Sequence, residues 1–177
     1  MDNDLLFLLW LNSFDQLGFI FEFVSGRVFS FCLLGIIGIY FTYIRKIRVF
    51  LFILLSIIIG DQIGAFLKDL IQEPRPCFEH AIQLIDVGVI NERCGSRLTG
   101  MPSNHALNFF LFSTLVFSFT KKKLLGFFLF CISSIVGLSR VFLVKHLLSQ
   151  VIMGAALGIF LGVIFYKLSR KIQWIEK

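Results

Sequence analysis

The chain has 177 residues, 57% hydrophobic and 16% charged, with a net charge of +6 and a mean hydropathy of +0.87. That balance argues against a soluble domain and predicts a single integral membrane domain over residues 1–177. The basic residues form short clusters between apolar runs and line no aromatic-interleaved face, which argues against a nucleic-acid partner.

The first residues, Met1-Asp2-Asn3-Asp4, are acidic where a cleavable signal would be basic. Leu5–Phe14 carries no charge but is too short to span, and Trp10 suits the headgroup level. It reads as a short interfacial amphipathic helix over about residues 4–16, with a spanning helix as the alternative. Five spanning helices are predicted to follow: Val28–Ile44, Val49 to about Ile71, about Pro102–Thr120, Leu124–Ser139 and Leu147–Tyr166. The predicted fold class is therefore an all-α transmembrane bundle. A polar loop, Glu73–Gly100, separates the second and third helices, and a basic tail, Lys167–Lys177, ends the chain.

Under this threading, Arg45, Lys46, Arg48, Lys121, Lys122, Lys123, Lys167, Arg170, Lys171 and Lys177 share one side, which the positive-inside rule makes cytoplasmic. The opposite, outward face then gathers Lys68, Arg75, His105, Arg140 and His146. The stretch Gly100–His105 leads directly into the third helix, whose first amides lack internal partners and favour an anion. His105, one turn inside, adds a titratable proton donor, so chemistry on a phosphate is expected.

Three patches carry a resemblance: Lys68 and, after six residues, Arg75-Pro76; Pro102-Ser103-Asn104-His105; and Ser139-Arg140 with His146 and Gln150. In order and spacing they resemble the type 2 phosphatidic acid phosphatase superfamily over roughly residues 50–160, with the motifs within 68–150. The family pattern has glycine at Asn104 and aspartate at Gln150. The resemblance implies a membrane lipid phosphatase that needs no metal or other cofactor, with bilayer-borne lipid phosphate as its partner. It implies His146 as nucleophile forming a phosphohistidine, His105 as general acid and base, and Lys68, Arg75, Ser103, Asn104 and Arg140 as phosphate ligands. Gln150 stands where an aspartate would orient the nucleophile. In serine proteases, replacing the equivalent aspartate by its amide lowers turnover about 10⁴-fold through the wrong tautomer. A Gln150→Asp change that left turnover unaltered would show the charge to be unnecessary.

Within the family the short chain and outward site are similar to lipid A 1-phosphatases, with the site facing the periplasm from the inner membrane. Phosphatases of undecaprenyl pyrophosphate or phosphatidylglycerol phosphate, a lipid phosphotransferase and an inactive lipid-binding member are the alternatives. Arg93 and Arg97, just before the second patch, are candidate headgroup contacts or solvated loop charges. Cys77 and Cys94 share the outward loop; a disulfide there would add about 3 kcal/mol in an oxidising compartment, and two free thiols are the alternative. No histidine pair has metal-ligand spacing. Asp61, seven residues before Lys68 on the same helical face, is expected to join a polar network in the bundle. Gly154, Gly158 and Gly162 form a close-packing face, either within the bundle or between protomers. The sequence leaves the oligomeric state open.

Overall fold

The structure, a computed structural model, describes residues 3–172. Met1, Asp2 and the last five residues, including Lys177 of the predicted basic tail, lie outside the described residues. The described elements are helices: α1 (Asn3–Asn12), α2 (Gly18–Ser25), α3 (Arg27–Tyr43), α4 (Ile47–Ile71), α5 (Pro76–Glu79), α6 (Ala81–Asp86), α7 (Asn104–Thr120), α8 (Lys123–Phe142) and α9 (Leu148–Ser169), with a 3₁₀ turn at Asp15–Leu17. No strand occurs among the described residues.

Helices α3, α4, α7, α8 and α9 occupy the five apolar stretches, but not all have spanning length. Among the described residues three helical stretches are long and apolar enough to cross a membrane: Ile47–Asp86, which contains α4, together with Lys123–Phe142 and Leu148–Ser169. Helices α3 and α7 have 17 residues each, at the short end of what a bilayer core requires.

The N-terminus departs from a single surface helix. Asn3–Asn12 and Asp15–Ser25 form a pair bent by 77° that together is apolar enough for a broken span or a re-entrant loop. Leu5, Leu8 and Leu11 are buried in a core shared with Ala106, Val141, Leu147 and Val151. The Ser149 amide also donates to Asp4 Oδ2 at 3.3 Å, tying α1 to the start of α9. The apolar side of α1 thus meets protein, which a ten-residue stretch cannot signal by composition. The Glu73–Gly100 stretch is likewise more ordered than a loop. Pro76 sits in the first turn of α5, where its missing N–H costs nothing, and a Cys77–Cys94 disulfide with a Cα–Cα distance of 5.5 Å closes the segment.

Helix α7 is the hub, packed against α4, α8 and α9. The glycine stripe of α9 faces it within the bundle: a Cβ at Gly154 would meet the Ser103 carbonyl and Ala106, one at Gly158 the Leu107 carbonyl, and one at Gly162 the Thr114 side chain. Across the other interface, Ser133 Oγ lies 2.8 Å from Ser113 Oγ and donates to the Phe109 carbonyl at 3.0 Å. Small residues and hydroxyls of this kind let apolar helices approach closely. Gly158→Ala, whose methyl meets backbone rather than a movable side chain, is expected to lose about 1–3 kcal/mol. Gly35→Ala, with nothing within 4 Å, should melt in detergent at or above the wild-type temperature.

Candidate active site

Each element that ends at this face stops for a readable reason. Helix α4 closes at Gln72, whose backbone is left-handed (φ 53°) and whose amide donates to the Lys68 carbonyl. Pro74 and Pro76 then prevent the helix from continuing. The chain turns back so that the Gly100 amide donates to the Glu73 carbonyl at 2.7 Å, and Arg75 Nε donates to Thr99 Oγ1 at 3.1 Å. Gly100 is buried here because a Cβ would run into the Pro74 carbonyl and the Gln150 amide.

Helix α7 starts two residues after Pro102, at Asn104, following a cis Met101–Pro102 peptide. Ser103 is its N-cap and is fully buried, yet its hydroxyl makes no capping bond and has no partner among the described residues. An N-cap serine ordinarily spends that oxygen on a helix amide, so here it stays available. The Ser103 amide donates to the Gln150 carbonyl at 3.1 Å, locking α7 to α9. At the end of α8, Val144 takes a left-handed backbone (φ 53°), which a β-branched residue adopts only when its surroundings impose it. The Lys145 and His146 amides both donate to the Arg140 carbonyl, at 3.0 and 3.2 Å, which folds His146 back beside Arg140.

His146 is 3% exposed. Its Nδ1 lies 2.7 Å from the Gly100 carbonyl oxygen and 3.3 Å from Gln150 Oε1. A carbonyl oxygen can only accept, so Nδ1 carries the proton and the lone pair is on Nε2. The amide at position 150 therefore does not force the wrong tautomer, because a main-chain carbonyl sets it. Burial, and then Lys68 and Arg140, push the His146 imidazole down to about 3. The ring stays neutral, with a nucleophilic Nε2, across the ordinary pH range. An unfolded chain would protonate this histidine near 6.5, before the folded one does. Stability is thus full above that value and declines as pH falls toward the folded one. The melting temperature in detergent should drop between about pH 7 and pH 4, and His146→Ala should flatten that dependence.

The cations surround this ring from three elements. Lys68, Arg75, Arg97 and Thr99 line a bowl of about 340 Å³ at this end of the helices. Arg140 donates from a guanidinium nitrogen to Ser25 Oγ at the end of α2, while its Nε is buried without a partner among the described residues. His105, in the first turn of α7, hydrogen-bonds the Ser25 main chain and lies close to both Arg140 and Lys68. It lines a separate, apolar cavity of about 210 Å³ between α3, α4 and α7, bounded by Leu33, Leu34, Ile57, Phe109 and Phe112.

Other predicted residues stand elsewhere. The Asn104 side chain turns away from the bowl and donates to Asp61 Oδ1 at 3.0 Å, and Asn108 joins it at 2.8 Å. Asn104 can therefore offer a phosphate only its main-chain amide. Gly64 leaves the space for this clamp, since a Cβ there would meet the Asn104 carboxamide. Arg93 stacks over the Phe78 ring at 3.8 Å and does not line the bowl, whereas Arg97 does. Four contributors escaped the sequence reading: Ser25, Glu73, Thr99 and Gly100. Only Gly100 carried a local signal, a glycine immediately before the second patch.

The sequence model of the PAP2 superfamily matches residues 46–174, from the turn before α4 to beyond α9. The chain belongs to the PAP2 superfamily. Dolichyldiphosphatase 1 of Dictyostelium discoideum is 31% identical over 134 residues, covering 70% of this chain and 52% of that protein. The chain thus spans about half of that relative's length. In fold it is similar to LpxE of Aquifex aeolicus, with a TM-score of 0.66 at 21% identity, covering 94% of this chain and 96% of the other. A PAP2-type phosphatidylglycerolphosphate phosphatase from Bacillus subtilis gives a TM-score of 0.64 at 24% identity, covering 93% and 79%. A multi-pass PAP2 membrane protein accommodates both the apolar helices and the cationic bowl at one end of them.

Proposed function

We propose that this chain is a membrane lipid phosphatase that works through a phosphohistidine at His146, at the outward, periplasmic face of an inner membrane crossed by five helices. The observation that carries the proposal is the fixed His146 tautomer, with Nδ1–H on the Gly100 carbonyl and Nε2 free beside Lys68, Arg75 and Arg140. Nε2 would attack phosphorus as the P–O bond to the leaving group breaks, and His105 would give that oxygen its proton. His105 would then draw a proton from the water that cleaves the N–P bond. Arg75, Arg140 and Lys68 would hold the phosphoryl oxygens, and the idle Ser103 hydroxyl would add one hydrogen bond.

A lipid is favoured over a soluble ester because His105, close to Lys68 of the polar bowl, lines the apolar cavity, which offers a tail a place beside the headgroup site. Lipid A 1-phosphate is our first candidate, because the fold likeness to LpxE runs almost end to end in both chains. An isoprenyl diphosphate is the second, from the name of the Dictyostelium relative. Purified protein in detergent should be offered lipid A 1-phosphate, undecaprenyl pyrophosphate, phosphatidylglycerol phosphate and phosphatidic acid, with free phosphate as the readout. Release from one of them, lost with His146→Ala, supports the proposal; no release from any sinks it.

A further inference from the structure

The hydrogen-bond chain that starts at His146 does not stop at Gln150. Gln150 is fully buried on α9, and its Nε2 donates to Glu73 Oε1 at 2.6 Å and to the Pro74 carbonyl at 3.0 Å. Its Oε1 accepts from the Leu147 amide at 3.1 Å and faces His146 Nδ1. The orientation of the carboxamide is thereby determined: both neighbours of its nitrogen are acceptors, and a main-chain donor meets its oxygen. Gln150 is a bridge with a histidine on one side and a carboxylate on the other.

Resting on the proposed phosphohistidine chemistry, we infer that Glu73 is a positioning residue that supplies, through Gln150, the negative charge that position 150 lacks. When Nε2 forms its bond to phosphorus, Nδ1 keeps its proton and the ring becomes cationic. Lys68, Arg75 and Arg140 already crowd that ring with positive charge, so the new cation needs a counter-charge in a site with little water. The Glu73 carboxylate stands one carboxamide away. Its main chain is locked as well, because its carbonyl accepts the Gly100 amide at 2.7 Å. That same Gly100 presents its own carbonyl to His146. Glu73 therefore acts on the reacting imidazole by charge through Gln150 and by position through Gly100. Glu73→Gln preserves an acceptor oxygen for Gln150 and removes only the charge.

The test uses the full chain in detergent with the lipid phosphate it hydrolyses best. Glu73→Gln should lower kcat about 10- to 100-fold with KM within about twofold, since the charge matters only once the ring is cationic. Adding Gln150→Asp to Glu73→Gln should restore kcat to within about threefold of wild type, because the carboxylate then meets Nδ1 directly. An unchanged kcat in Glu73→Gln overturns the inference, as does a double variant no faster than Glu73→Gln. Loss of the folded species on size exclusion, with or without Gln150→Asp, also overturns it, for Glu73 would then serve the fold. A dead His146→Ala beside an unaffected Glu73→Gln sinks this assignment alone. An active His146→Ala, or a wild type inert on every lipid phosphate, sinks the phosphohistidine reading and this inference with it.

Discussion

His146→Ala is expected to lower phosphate release by at least about 10³-fold, with the melting temperature within a few degrees of wild type at neutral pH. The whole proposed reaction passes through one atom, Nε2 of His146. Lys68, Arg75, Arg97 and Arg140 can stabilise charge, while the His146 ring, held neutral by burial and by Lys68, Arg140 and Arg75, offers the lone pair. The companion measurement is trapping: brief incubation followed by alkaline quench should leave a base-stable, acid-labile phosphoryl group on wild type and none on His146→Ala. His105→Ala should cost about 10²- to 10⁴-fold in turnover, the usual span for a lost proton donor. An intermediate that forms equally well without His146 would place the nucleophile elsewhere.

The second large effect falls on a residue without functional groups. Gly100→Ala is expected to reduce kcat/KM by about 10²-fold or more and to destabilise the protein by about 1–3 kcal/mol. A methyl group there would meet the Pro74 carbonyl and the Gln150 amide. Backbone cannot swing aside as a side chain can, so the 73–75 segment and residue 100 would have to part. Parting them breaks the Gly100 to Glu73 main-chain bond and withdraws the carbonyl that holds His146 Nδ1. Thermal melts read the first loss and the phosphatase assay the second. Gly35→Ala, in open space on α3, is the matched control and should keep full activity and melt at or above the wild-type temperature.

Several features could be read without coordinates because they depend on one stretch of chain. Apolar length and lysine clusters located α4, α8 and α9 to within a few residues, since burying backbone in lipid requires a helix. Counting crossings then brought Lys68, Arg75, His105, Arg140 and His146 to one face, where the structure has Lys68, Arg75 and Arg140 acting on His146. The N-terminal stretch resisted the same treatment, because Leu5, Leu8 and Leu11 look alike whether they face lipid or Ala106 and Val141. Asn104 was expected to serve a phosphate through its main-chain amide, and the partner of its side chain, Asp61 on a neighbouring helix, could not be read from the motif.

What the sequence determined by itself was the place of α4, α8 and α9 and the order of the charged groups between them. Local composition decides both, through the cost of leaving backbone amides or charges in hydrocarbon. What only the tertiary structure decided was who holds His146. Gly100 lies 46 residues from it and Glu73 lies 77 from Gln150. No periodicity or spacing records such a pairing, because it exists only once α4, α7 and α9 have packed and forced those carbonyls and that carboxylate into the same small volume.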